Sequence, residues 1–232
     1  MNTPTLDTPL GDLAAHRPEA IQVLEHFGLD YCCGGRRTLG EACQAGGVDP
    51  ATVQAAIAAL SEAHPSWAEA PLPALLDHIL DVFHAPHRAA FEALRRMGDK
   101  VVFAHGHDPQ WGPRLVQVRS LLEVLADELE QHMQKEERVL FPWIRGGHGQ
   151  SAGAPVRVML SEHEHTATHL QAMRAAALDY TPPEDACSTL QGFLAGLARL
   201  ERDIHEHMHL ENNVLFPRFE TAGGCGGACS CA

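Results

Sequence analysis

The chain has 232 residues, 45% of them hydrophobic, which suffices for one sizeable buried core and a small second unit. Its 17 basic and 30 acidic residues give a formal net charge of −13, which repels phosphate backbones and anionic lipid surfaces and so excludes nucleic acid and membranes as natural partners. No run approaches the roughly 18 uninterrupted apolar residues of a membrane span, and the start lacks a basic segment followed by an apolar one, so a cytoplasmic address is the expectation.

In chain order, residues 1–63 read as a small helical unit. Its pieces are LGDLAAH, PEAIQVLEHFG closing at Gly28, TLGEACQ, and DPATVQAAIAALSEA with Asp49 as N-cap. They surround the turn DYCCGG at 30–35. A Pro-rich hinge follows at 64–72. Four long helical patterns then run over 73–99, 113–145, 154–178 and 185–220, separated by the breaks GHDPQWGP, RGGHGQSAGAP and DYTPPE. No strand alternation interrupts them, so the expected fold is all-α, with an up-down four-helix bundle over 73–220. Residues 221–232, Gly-rich and bearing Cys225, Cys229 and Cys231, read as a flexible tail.

Two stretches of the bundle are near repeats. HMQKEERVLFPWI at 132–144 and HMHLENNVLFPRF at 207–219 each place a His four residues before a Glu and then run into Val-Leu-Phe-Pro. A repeat so widely spaced indicates two related halves of one domain rather than a solenoid. Stepping by three or four along the fourth helix aligns Leu197, Leu200, Ile204, His207, Glu211 and Leu215. The same step on the second aligns Leu122, Leu125, Leu129, His132, Glu136 and Val139, and on the third Val156, Leu160, His163, Ala167 and Leu170. On the first helix His84 and His87 both follow Phe83, and periodicity does not choose between them. His205 and His209, like His165 and His169, fall on other faces and read as solvated; His105, His107 and His148 read as solvated loop residues.

The inward set is one His from each of the first and third helices and a His-x-x-x-Glu from each of the second and fourth. A buried carboxylate without a partner costs several kcal/mol, which a domain stable by about 5–15 kcal/mol cannot easily offset. No inward Lys or Arg on these stripes relieves two of them, and bound cations would. Six protein ligands exceed what a tetrahedral zinc takes, and no thiolate is among them. Two ions fit better, with imidazole and carboxylate suiting iron, each Glu bridging the pair and a solvent-derived oxo or hydroxo bridge completing the centre. Ferritin-type carboxylate sites use more acids and the opposite order, Glu-x-x-His.

Seven cysteines, with Cys32 adjacent to Cys33, make a poor disulfide framework, because the Cβ vectors of neighbours diverge. The pair reads as metal ligands, a redox pair, a persulfide carrier, or small residues shaping the turn before Gly34. Reduced thiols that contact iron or a partner cluster stand beside the turn reading. Cys43 and Cys187 read as ordinary small helix residues.

Taken together, DYCCGG, FHAPHR at 83–88, HMQKEERVLFP at 132–142, SEHE at 161–164 and HLENNVLFP at 209–217 carry a resemblance. The bundle resembles hemerythrin-like domains, and residues 9–220 resemble the iron-sulfur cluster repair di-iron proteins, the repair-of-iron-centres family. The resemblance implies His84, and not His87, as the ligand on the first helix, with His132, Glu136, His163, His207 and Glu211 completing a site for two iron ions. It also implies a role in restoring iron-sulfur enzymes after nitric oxide or oxidative damage. Damaged iron-sulfur proteins would be the partners, and Cys32 and Cys33 thiols for iron transfer. Reversible binding of nitric oxide or dioxygen, and reduction of nitric oxide, would use the same residues, and a homodimer is compatible with all three. The cysteine unit favours repair by iron donation, since a gas carrier has no need of it.

Overall fold

The computed structural model of the chain describes residues 4–60 and 66–220; Cys225, Cys229 and Cys231 lie outside them. Four short helices come first: α1 (Leu10–His16), α2 (Ala20–His26), α3 (Leu39–Gly46) and α4 (Pro50–Ala58). Their ends follow from side chains that satisfy the orphaned first-turn N–H groups. Thr38 and Glu41 form a reciprocal capping box on α3. Asp49 accepts from the backbone N–H of Ala51 and Thr52, with Pro50 opening α4. An isolated antiparallel bridge between Pro9 and Thr38 is the sole strand-type pairing among the described residues.

The bundle is built from α5 (Leu72–His78) and α6 (Ala85–His105), α7 (Trp111–Lys135), α8 (Phe141–Trp143), α9 (Gly153–Ala176), α10 (Ser188–His209) and α11 (Pro217–Glu220). Helix α6 packs on α7 and α10, and α9 packs on the same two from the other side, which closes a four-membered ring of helices. Leu115, Val118, Leu122, Leu125 and Leu129 of α7 share one buried core cluster with Phe193, Leu197, Leu200 and Ile204 of α10. None of the helices is long and apolar enough to cross a membrane among the described residues.

Three of the long helices contain a π-turn: Ile79–His84, Glu136–Leu140 and Leu210–Leu215. Each ends two residues before a proline, Pro86, Pro142 or Pro217. A proline inside a helix lacks the N–H and its ring collides with the carbonyl four residues back, so the preceding turn widens to make room. The Phe216 N–H accordingly bonds to Glu211 O at 2.8 Å, five residues back. Each wide turn adds a residue to the register. Val139, placed inward by simple stepping, is therefore 56% exposed, and Leu140 takes the buried position.

The amino-terminal unit and the bundle share a core. Leu10, Leu24, Leu39 and Ile57 belong to one apolar cluster with Leu122, Leu197 and Met208. Asn213 clamps the two together, donating from Nδ2 to the carbonyls of Tyr31 at 3.1 Å and Cys32 at 3.0 Å. Glycine is required opposite it, since a Cβ at Gly11 or Gly35 would collide with Asn213 Oδ1. From Ser66 on, the stretch read as a hinge is also tied down. Ser66 Oγ donates to Ala15 O at 2.6 Å, Arg218 donates to the carbonyls of Trp67, Ala68 and Ala70, and Trp67 stacks on His78 with centroids 4.0 Å apart.

Candidate metal centre

The π-turns carry donors: His84 ends the first, Glu136 opens the second and Glu211 lies in the third. His132 sits one turn before Glu136, His207 one turn before Glu211, and His163 comes from α9. All six converge at one place in the core, each no more than 3% exposed. Their nitrogens form two pairs, His84 Nε2 with His207 Nε2 at 3.2 Å and His132 Nε2 with His163 Nε2 at 3.0 Å.

Both carboxylates span the two pairs. Glu136 Oε2 lies 3.5 Å from His84 Nε2 and 3.3 Å from His132 Nε2. Glu211 points Oε1 at His207 Nε2 and Oε2 at His163 Nε2, each at 3.1 Å. Yet both oxygens of Glu136 and Oε2 of Glu211 are buried without a hydrogen-bond partner. Carboxylate oxygens buried among imidazole nitrogens with no hydrogen-bond partner are aimed at something between them, and this set, imidazole nitrogen plus carboxylate oxygen, fits cations.

Electrostatics point the same way. Burial alone would raise the Glu211 carboxyl, but the imidazoles of His207, His132 and His163 overrule it and hold it well below the usual carboxylate range. At His132 burial opposes protonation, and Glu136 overrides it and lifts the imidazole well above its ordinary value. His84 is raised by the same opposition, with Glu136 prevailing. Cations would displace those protons and take over the pairing with the carboxylates.

An outer layer orients the imidazoles. His84 Nδ1 bonds to Glu137 Oε1 at 2.8 Å, and Arg88 Nη1 holds the same oxygen at 2.8 Å. His132 Nδ1 bonds to Glu162 Oε2 at 3.0 Å; that carboxylate, also held by Lys135, is lowered to about 2, chiefly by His132. His163 Nδ1 bonds to Asn212 Oδ1 at 2.6 Å. Such partners fix which ring nitrogen faces inward. Glu137, Glu162 and Asn212 escape sequence reading because they lie beside the apolar stripe, where any polar residue is plausible.

Helical periodicity leaves His84 and His87 equal, and the resemblance chooses His84. Both are buried, but His84 alone has its nitrogen among the converging donors. Burial, with His207 and His84 alongside, drives His87 down to about 2 and keeps it neutral. The expectation that His205 and His209 are solvated is wrong: His205 is half-buried and His209 is 1% exposed. The amino-terminal unit covers that face of α10. Tyr31 stands edge-on to the His209 ring at 5.4 Å, and Asn213 Nδ2 donates to His209 Nδ1 at 3.1 Å. His105 is the last residue of α6 rather than a loop residue, with Nε2 3.2 Å from Cys187 Sγ. Cys187 in turn is the N-cap of α10, not an interior residue.

The cysteine loop sits against the centre. Asp30 Oδ1 accepts from the Cys33 N–H at 3.0 Å and the Cys32 thiol at 3.4 Å. Cys33 Sγ lies 4.0 Å from His163 O, and Asn212 Nδ2 is 3.3 Å from Cys32 O and 3.9 Å from Cys33 Sγ. The bond to Cys33, together with burial, raises the Cys32 thiol well above its ordinary value.

Comparison with known proteins places this architecture. Residues 75–219 match the hemerythrin HHE cation binding domain, and residues 6–61 match ScdA_N, a domain of unknown function. The iron-sulfur cluster repair protein YtfE of Dickeya chrysanthemi (strain Ech1591) is 39% identical over 91% of this chain and 96% of its own length. Its namesakes from Musicola paradisiaca (strain Ech703) and Escherichia coli O157:H7 are 39% and 38% identical, over 90% and 91% of this chain and 94% and 96% of their own lengths. With both units matched and nine-tenths of the chain aligned, the protein belongs to the hemerythrin-like family of the iron-sulfur cluster repair proteins.

Proposed function

We propose that the chain is a non-haem di-iron protein that repairs iron-sulfur clusters damaged by nitric oxide or oxidative stress, by giving up iron to the damaged protein. The observation that carries this reading is the adjacency of thiol and centre: Cys33 Sγ touches the backbone of His163 and shares Asn212 with its ring. His84, His132, Glu136, His163, His207 and Glu211 would hold two iron ions, which supply ligand-exchange and redox chemistry when bound. Glu211 and Glu136 reach both His pairs and so would bridge. Glu137, Glu162 and Asn212 keep Nε2 inward on three of the imidazoles.

Its raised pKa keeps the Cys32 thiol protonated at neutral pH, so Cys33, half-exposed beside His163, is the thiol placed to accept iron first. The partners on this reading are damaged iron-sulfur proteins, whose cysteines take the iron onward.

The test is a C32S/C33S variant loaded with ferrous iron. Metal content and absorption spectrum should match the unsubstituted protein, while transfer to an apo-cluster acceptor slows about tenfold or more. Unchanged transfer would remove the thiols from the pathway. Tight nitric oxide binding, or its turnover, with no iron released to the acceptor would replace donation by reversible gas binding or nitric oxide reduction at the same six residues.

A further inference from the structure

Four imidazoles turn Nε2 toward the centre, so each has an Nδ1 facing away that needs a partner of its own. Three have one: Glu137 for His84, Glu162 for His132 and Asn212 for His163. His207 is the exception, for its Nδ1 is buried without any hydrogen-bond partner. One face of its ring is covered by the parallel Phe83 ring at 5.4 Å, which offers no acceptor.

The ring beside it has the matching deficiency. His87 is 2% exposed, its Nε2 is also buried without a partner, and its centroid lies 5.3 Å from that of His207. An N–H···N bond of ordinary length between two imidazoles sets their centroids about 5 Å apart. A residue there for packing alone would be apolar, because a buried nitrogen with no partner destabilises the fold and a Leu would not.

We propose that His87 is the positioning residue for His207, its Nε2 accepting the Nδ1–H of His207 when a metal ion holds that ring, and so completing the outer layer. The proposal rests on the reading of His207 as a metal ligand through Nε2. It gives the second His of FHAPHR a role without making it a ligand: its nitrogens are absent from the donors that converge within one ion's reach.

The decisive experiment compares H87L and H87Q with the unsubstituted protein, metal-free and loaded with ferrous iron. Metal-free H87L should melt at a higher temperature, since a buried orphan nitrogen is gone. Once loaded, it should lose one of its two ions to a ferrous chelator about 10–100-fold faster, the usual cost of removing an outer-layer partner. H87Q, whose amide oxygen can accept the same hydrogen, should recover most of the retention. Iron retention in H87L equal to that of the unsubstituted protein would overturn the proposal. So would a fall in both melting temperature and retention, the mark of a plain packing defect. Outright loss of one ion in H87L and H87Q alike, as His84→Ala should cause, would make His87 a ligand instead. Failure of the unsubstituted protein to bind iron would overturn the metal-centre reading itself.

Discussion

Asn212 Oδ1 lies 2.6 Å from His163 Nδ1 while the same side chain's Nδ2 reaches back to Cys32 O at 3.3 Å, so one amide joins the cysteine loop to an inward-facing imidazole. Asn212→Leu should leave His163 free to turn and speed iron loss to a chelator about 10–100-fold. Asn212→Asp, which keeps the acceptor, should lose iron more slowly than the Leu variant. Equal rates in the Leu variant and the unsubstituted protein would show that the hydrogen bond does not orient His163.

Gly35 tests the clamp from the other side. A methyl group there collides with Asn213 Oδ1 and comes within 2.8 Å of Tyr31 O, so Gly35→Ala should lift the cysteine loop off the bundle. Cys32, 5% exposed, should then react with a maleimide at least tenfold faster, while iron content matches that of the unsubstituted protein because the substitution touches none of the six converging residues. Labelling kinetics and metal analysis on one sample check both halves.

Histidines on neighbouring faces of α10 should behave differently. His207→Ala or Glu211→Gln should reduce iron content by half or more, because each removes a donor from the converging set. His205→Gln, half-buried but remote from those donors, should leave it unchanged. Metal analysis after desalting gives the comparison.

His209 supplies a pH dependence whose sign is fixed by its surroundings. Burial lowers its pKa from the usual 6.5 to about 4, so the folded state holds the neutral ring and the unfolded chain takes up the proton first. Its contribution is complete above about pH 6.5 and is lost as pH falls towards 4, amounting to about 3 kcal/mol. His209→Asn removes the titrating group. The metal-free variant should be less stable at pH 7 yet lose less stability than the unsubstituted protein between pH 6.5 and 4 in urea titrations. A parallel fall in both would show that His209 is not the group being protonated.

Much of the centre is legible in the sequence, because His132, Glu136, His163, His207 and Glu211 keep helical phase with leucines that must be buried. Val139 breaks that phase, since the wide turn at Glu136–Leu140 adds a residue that stepping by three or four does not count. The burial of His209 is hidden for another reason. It arises from Tyr31 and Asn213, a contact between segments far apart in sequence that no local period encodes. His84 and His87 are both apolar-face residues three apart, so helical period does not separate them; the resemblance and the position of their nitrogens do.

The π-turns also make the spacing of this chain rigid in one place and tolerant in another. Deleting a single residue such as Val139 would restore ordinary α register after Glu136, swing Phe141 and Ile144 by about 100° and expose both, while leaving His132-x-x-x-Glu136 intact in the written sequence. Insertions between α9 and α10, a connection that contributes none of the six converging residues, would disturb none of this. Among relatives, gaps should therefore gather in that connection and avoid the few residues between each Glu and the proline that follows it.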